Sequence, residues 1–143
     1  MLRATRSVTI ARAPGDVFAV LADPANDPTW RPSVVDIAHV AGAGVGATYR
    51  QGVRGPGGRR VSADIEITAA DPARRLAFCT TTGPVRPVGS YDLAPAGDGT
   101  TVTFTLEASL HGLKRLLLGR SVQRAMESEV ANLERLKAAL EPS

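Results

Sequence analysis

Cysteine is nearly absent from this 143-residue chain. Cys79 stands alone, which excludes an intramolecular disulfide and a cysteine-based zinc site. Histidine is limited to His39 and His111, far apart and without Asp or Glu at ligand spacing, so no metal is expected. Aromatic residues are 4% of the chain, too few for a surface that stacks nucleic-acid bases. Long hydrophobic runs are missing too. The longest near the N-terminus, residues 17–22, is too short for a signal-peptide core and is bracketed by Asp16 and Asp23. Nothing approaches a membrane span, so the expected setting is the cytoplasm, with no stable membrane insertion.

Seventeen Lys+Arg against fourteen Asp+Glu give a net charge of +3. Only Lys114 and Lys137 are lysines; the other cations are arginines scattered from Arg3 to Arg135, with no dense run to neutralise a row of phosphates. Nucleic acid is therefore not an expected partner. With 43% hydrophobic residues the chain is an ordinary globular one, and its length is that of a single domain, residues 1–143.

The hydrophobic pattern changes period twice. Residues 5–11 alternate through Val8 and Ile10 as a strand. Pro14 and Asp16 then suit a helix start, Val17, Val20 and Leu21 follow at helical spacing, and Pro24 ends that helix at Ala22 or Asp23. A second short helix fits between Pro24 and Trp30. From 34 to 109 the period is two, with six strands at 34–41, 47–54, 61–69, 75–81, 88–94 and 101–108, separated by Gly- and Pro-rich turns. Val102, Phe104, Leu106 and Ala108 oppose Thr101, Thr103, Thr105 and Glu107, the signature of an antiparallel sheet covered on one face. Residues 112–141 carry Leu116, Met126, Val130, Leu133, Leu136 and Leu140 at helical spacing, with Gly119 as a candidate kink or break. This helix is expected to cover the sheet.

The order of strand, two short helices, six strands and long helix resembles the helix-grip fold of the SRPBCC superfamily, with its START-like lipid-transfer domains and its bacterial polyketide cyclase/dehydrase-like branch. The most specific likeness is Ala13-Pro14-Gly15-Asp16-Val17-Phe18 with Leu21-Ala22-Asp23-Pro24, similar to the family's "A-P-x-x-V-aromatic" helix start and "L-x-D" helix end. Trp30-Arg31-Pro32 is similar to its "W-x-P". The resemblance implies an α+β fold in which a seven-stranded antiparallel sheet curves around the C-terminal helix. It also implies a cavity between them that holds a small apolar, polyketide- or lipid-like molecule, with no cofactor.

On the inward phase, the residues expected to line such a cavity are Tyr49, Gln51, Ala63, Ile65, Phe78, Thr80, Tyr91, Phe104 and Leu106 from the strands, with Val53 and Leu93 beside them. Met126 and Val130 face them from the helix, and Trp30 stands near the mouth. Tyr49, Gln51, Thr80 and Tyr91 carry the most information, because their polar atoms need partners that a dry core does not supply. The alternative is that all of these simply fill a core, with Trp30 pinning the short helices to the sheet.

Catalytic residues are not identifiable from the sequence. His39 lies on an inward phase and could act as a base, or sit at a fraying strand end; a tyrosine or Asp92 could also move protons. No nucleophile elbow and no phosphate-binding glycine loop is present. The last helix opens with Lys114, Arg115, Arg120 and Arg124, while Glu127, Glu129 and Glu134 come later, against the helix dipole. That basic start is either a solvated face ending in a separate element at Gly119, or a rim that meets an anionic ligand group or an acidic membrane surface. Three functions follow: a small-molecule binding protein, a polyketide cyclase, aromatase or dehydratase on the same scaffold, or a protein-interaction module. The oligomeric state is unknown from the sequence.

Overall fold

The structure is a computed structural model that describes residues 1–141. Strand β1 (Leu2–Ile10) leads into helix α1 (Pro14–Leu21) and a 3-10 helix at Pro24–Thr29. Strands β2 (Val34–Ala41), β3 (Thr48–Arg54), β4 (Arg60–Ser62), β5 (Ile65–Asp71), β6 (Arg75–Thr80), β7 (Val88–Ala96) and β8 (Gly99–Ala108) follow, then helices α2 (Gly112–Ala131) and α3 (Leu133–Leu140). One antiparallel sheet runs in the order β1-β8-β7-β6-β5-β3-β2, with β4 paired to β3 off this path. The expected helix-grip architecture is thus present.

Alternation decides which face is buried. Val102, Phe104, Leu106 and Ala108 of β8 point inward, as do Ile65 and Ile67 of β5. On the outer face β1 and β8 are joined by hydroxyl pairs, Thr5–Thr105 at 3.1 Å, Ser7–Thr103 at 2.7 Å and Thr9–Thr101 at 3.1 Å. Met126, Val130, Leu133 and Leu136 of the C-terminal helices complete the core. In α1 only the stripe of Val17 and Leu21 is buried, and Pro14 and Asp16 stand at its start as expected.

Two expectations are corrected. The strand expected over residues 61–69 is broken into β4 and β5 at Ala63–Asp64. There the Gln51 amide donates to Asp64 Oδ1 (3.0 Å) and the Asp64 amide to the Thr82 hydroxyl (2.9 Å), so side chains replace ladder partners. The C-terminal helix breaks at Asn132 and not at Gly119, which lies inside α2. The Asn132 amide donates to the Glu129 carbonyl at 3.0 Å, a tightened turn between α2 and α3. Leu116, placed in the buried stripe by its spacing, is 81% exposed. The covering contacts of α2 begin further along, where Met126 and Val130 are its buried residues.

Candidate functional site

The 3-10 helix carries an ion pair into the interior. Asp23 caps it, its Oδ1 accepting from the Ala25 amide at 3.2 Å, and Pro24 and Pro28 stiffen it. The Asp27 carbonyl accepts from the Trp30 and Arg31 amides at 3.0 and 2.7 Å, which turns both side chains under the helices. Arg31 Nη1 donates to Asp27 Oδ2 at 2.8 Å and to Gln51 Oε1 at 3.2 Å. Its Nε donates to Glu129 Oε2 of α2 at 3.2 Å. The Ser33 hydroxyl and Asn132 Nδ2 also donate to the Glu129 carboxylate. Gln51 is fixed in turn by its own Nε2 bond to the Ala63 carbonyl, 2.9 Å. One guanidinium thus ties the 3-10 helix, the sheet and α2 together.

Two carboxylates around one guanidinium leave this cluster short of positive charge. Burial pushes the Asp27 carboxyl up to about 6, against the lowering effect of Arg31. Burial alone would lower the Arg31 guanidinium, but the charges of Glu129 and Asp27 outweigh it and hold it above its ordinary value. The Tyr91 phenol is raised by its complete burial and then by the negative charge of Asp27, so it stays protonated at neutral pH.

Four rings pack beside the charges. Tyr91 stacks on Phe104 with centroids 4.4 Å apart, Trp30 meets both edge-on at 6.2 and 6.5 Å, and Phe78 lies 6.2 Å from Tyr91. Gly89 leaves room for the Phe78 ring, which a Cβ at that position would strike. Trp30 is 1% exposed, and its indole Nε1 is the one buried side-chain polar atom without a hydrogen-bond partner among the described residues. A buried donor left unpaired costs about 1–3 kcal/mol.

The residues expected to line a cavity do share the inner face. Trp30, Tyr49, Gln51, Ile65, Thr80, Tyr91, Phe104, Leu106, Met126 and Val130 are buried, and Ala63 and Phe78 are half-buried. His39 is instead exposed, its Nε2 2.6 Å from the Gly42 carbonyl, and Asp92 faces outward in an ion pair with Arg75. Neither reaches the interior. The chemically distinctive residues that sequence reasoning misses are Asp27, Arg31 and Glu129. The Asp27/Arg31 spacing of four between prolines is an available signal, whereas Glu129 reads as one more solvated charge of its helix.

Among the described residues, the surface carries at least two clefts. The smaller, about 290 Å³, lies between the 3-10 segment and α3, with Pro28, Thr29, Trp30, Pro32, Arg135 and Ala138 around it. The larger, about 640 Å³, lies between the start of β1 and the first half of α2. Trp30 is the one expected lining residue that borders either of them.

No curated protein matches the chain. Among solved structures, it resembles TTHA0849 from Thermus thermophilus, with 25% identity and a TM-score of 0.80 over 97% of this chain and 99% of that one. A START superfamily protein from Mycobacterium smegmatis superposes with a TM-score of 0.77 at 16% identity, covering 96% of each chain. The di-domain ARO/CYC BexL of the BE-7585A biosynthetic pathway gives 0.75 at 20% identity, over 99% of this chain and 48% of that one. These likenesses show the shared fold. The family described as "Polyketide cyclase / dehydrase and lipid transport" matches residues 1–141, and to that family this chain belongs.

Proposed function

We propose that this protein binds a small molecule with an apolar body and a hydrogen-bond acceptor such as a ketone. The molecule would be held between the sheet and the C-terminal helices next to Trp30. The observation that carries this reading is the buried indole N–H without an acceptor, beside Tyr91 and the Asp27–Arg31–Glu129 cluster. Native interiors seldom keep an orphaned donor unless something supplies its partner. The cleft bordered by Trp30 gives access, and its volume of about 290 Å³ is at the lower end of small-ligand sites. The rings supply apolar contact, and the indole supplies the directional bond that distinguishes one apolar molecule from another.

The test compares two ligands of the same shape by equilibrium dialysis. Acetonaphthone, a flat ketone, should bind about tenfold more tightly than ethylnaphthalene, the worth of one buried hydrogen bond. In Trp30→Phe that preference should vanish while the fold is retained. Equal affinities in the parent, or no binding of either, would rule the reading out.

A second reading is supported by Asp27. A carboxyl held near 6 is poised to take a proton at neutral pH, and Arg31 would stabilise an enolate oxygen formed nearby. This is the chemistry of an aldol closure and dehydration on a polyketone. It would be supported if a linear polyketone is converted by the parent and only bound by Asp27→Asn. Unchanged polyketone with the parent enzyme would leave the binding reading alone in place.

A further inference from the structure

The first half of α2 lies outside the site just described, and its composition is unusual. Leu113, Leu116, Leu117 and Leu118 are 68%, 81%, 68% and 39% exposed. Residues 116–118 are consecutive, so they point around most of the helix circumference, and no rotation about its axis could bury all three. Between His111 and Met126 there is no acid, while Lys114, Arg115, Arg120 and Arg124 are all basic. None of the four makes an ion pair among the described residues; Lys114 Nζ is bonded only to the Pro84 carbonyl. His111 at the cap position makes no capping bond. The larger cleft opens here, lined by Leu2 and by Arg115, Leu116, Leu117, Arg120 and Gln123 of α2.

We infer that this end of α2 docks on an anionic lipid bilayer. Exposed leucines among unpaired cations match an interface with an apolar interior and a negatively charged surface. The leucines would enter the headgroup–acyl boundary, and the long basic side chains would reach back to the phosphates. A second copy of this chain fits poorly. A two-fold contact on these leucines would bring the four cations against their own counterparts. The helix does not span the bilayer, because its 20 residues are too polar and too charged to cross it. Docking there would lay the larger cleft against the lipid.

Vesicle co-sedimentation of the full chain tests this, using phosphatidylcholine with and without phosphatidylserine. The protein should sediment with the phosphatidylserine vesicles and be released by high salt. Leu116→Ser/Leu117→Ser and, separately, Arg115→Glu/Arg120→Glu should each weaken sedimentation about tenfold or more, since each basic residue and each buried leucine contributes measurably to surface binding. Circular dichroism should show both variants folded, because the replaced side chains are exposed. Sedimentation indifferent to phosphatidylserine, or none, would overturn the inference. So would a dimer, seen by analytical ultracentrifugation, that the leucine variant disperses. Neither result depends on the ketone site, so the two proposals fail separately.

Discussion

Asp27 shows what a single buried residue does to the stability of the whole. Its carboxyl has an ordinary value of 3.8 in the unfolded chain and about 6 in the fold, because burial resists the charged form. The folded state therefore holds this proton more tightly than the unfolded state, and ionising Asp27 costs stability. That cost is absent below about pH 4, grows as pH rises to about 6, and is complete above it, at ~3 kcal/mol. Asp27→Asn removes the dependence and leaves Arg31 paired with Glu129. Denaturant melts should show the variant gaining on the parent between pH 4 and pH 6; a constant difference across that range would mean Asp27 does not titrate there. The sequence could be read as far as the inner face: Phe104 follows from clean period-two alternation, and Tyr49, Gln51 and Tyr91 from the phase of strands that alternate less cleanly. It could not show the charged cluster. Arg31 and Glu129 are 98 residues apart, and Glu129 sits on a helix with other carboxylates that look the same in one dimension.

Among the elements, the C-terminal helices divide by how far they lie over the sheet. Leu133 and Leu136 are fully buried against the core, whereas Leu116 has the same chemistry and almost no neighbours. Leu136→Ala should therefore cost about 2–5 kcal/mol in a denaturant melt, and Leu116→Ala should stay within about 0.5 kcal/mol of the parent. A large cost at Leu116 would mean that this end of α2 is covered in solution. Helical spacing marks both leucines as apolar-face residues, but spacing carries no information on where the sheet beneath a helix ends. The strands are easier to read, since Gly and Pro turns punctuate them. The break at Ala63–Asp64 is hidden because Asp64 and Thr82, which replace the ladder there, are distant in sequence. The break at Asn132 lies among good helix formers and has no glycine or proline to announce it.

At the scale of the molecule, the sheet is open, with β1 and β2 at its two ends and β7 and β8 between paired neighbours. Amide exchange should be slowest in β8 and β7 and fastest in β2 and the first turns of α2, where most side chains are exposed. Equal protection in β2 and β8 would contradict this ordering. The full-length pairing of β1 with β8 also bears on how the protein is made. Each hydroxyl of β1 meets its partner 92 to 100 residues further along the chain. A ribosome adding roughly 5–20 residues per second needs on the order of 5–20 s to deliver that partner. Throughout that interval β1 emerges as a strand with nothing to pair with, a template for the same strand on a neighbouring nascent chain. Its alternate positions are Arg3, Thr5, Ser7 and Thr9, so only one side is greasy while it waits.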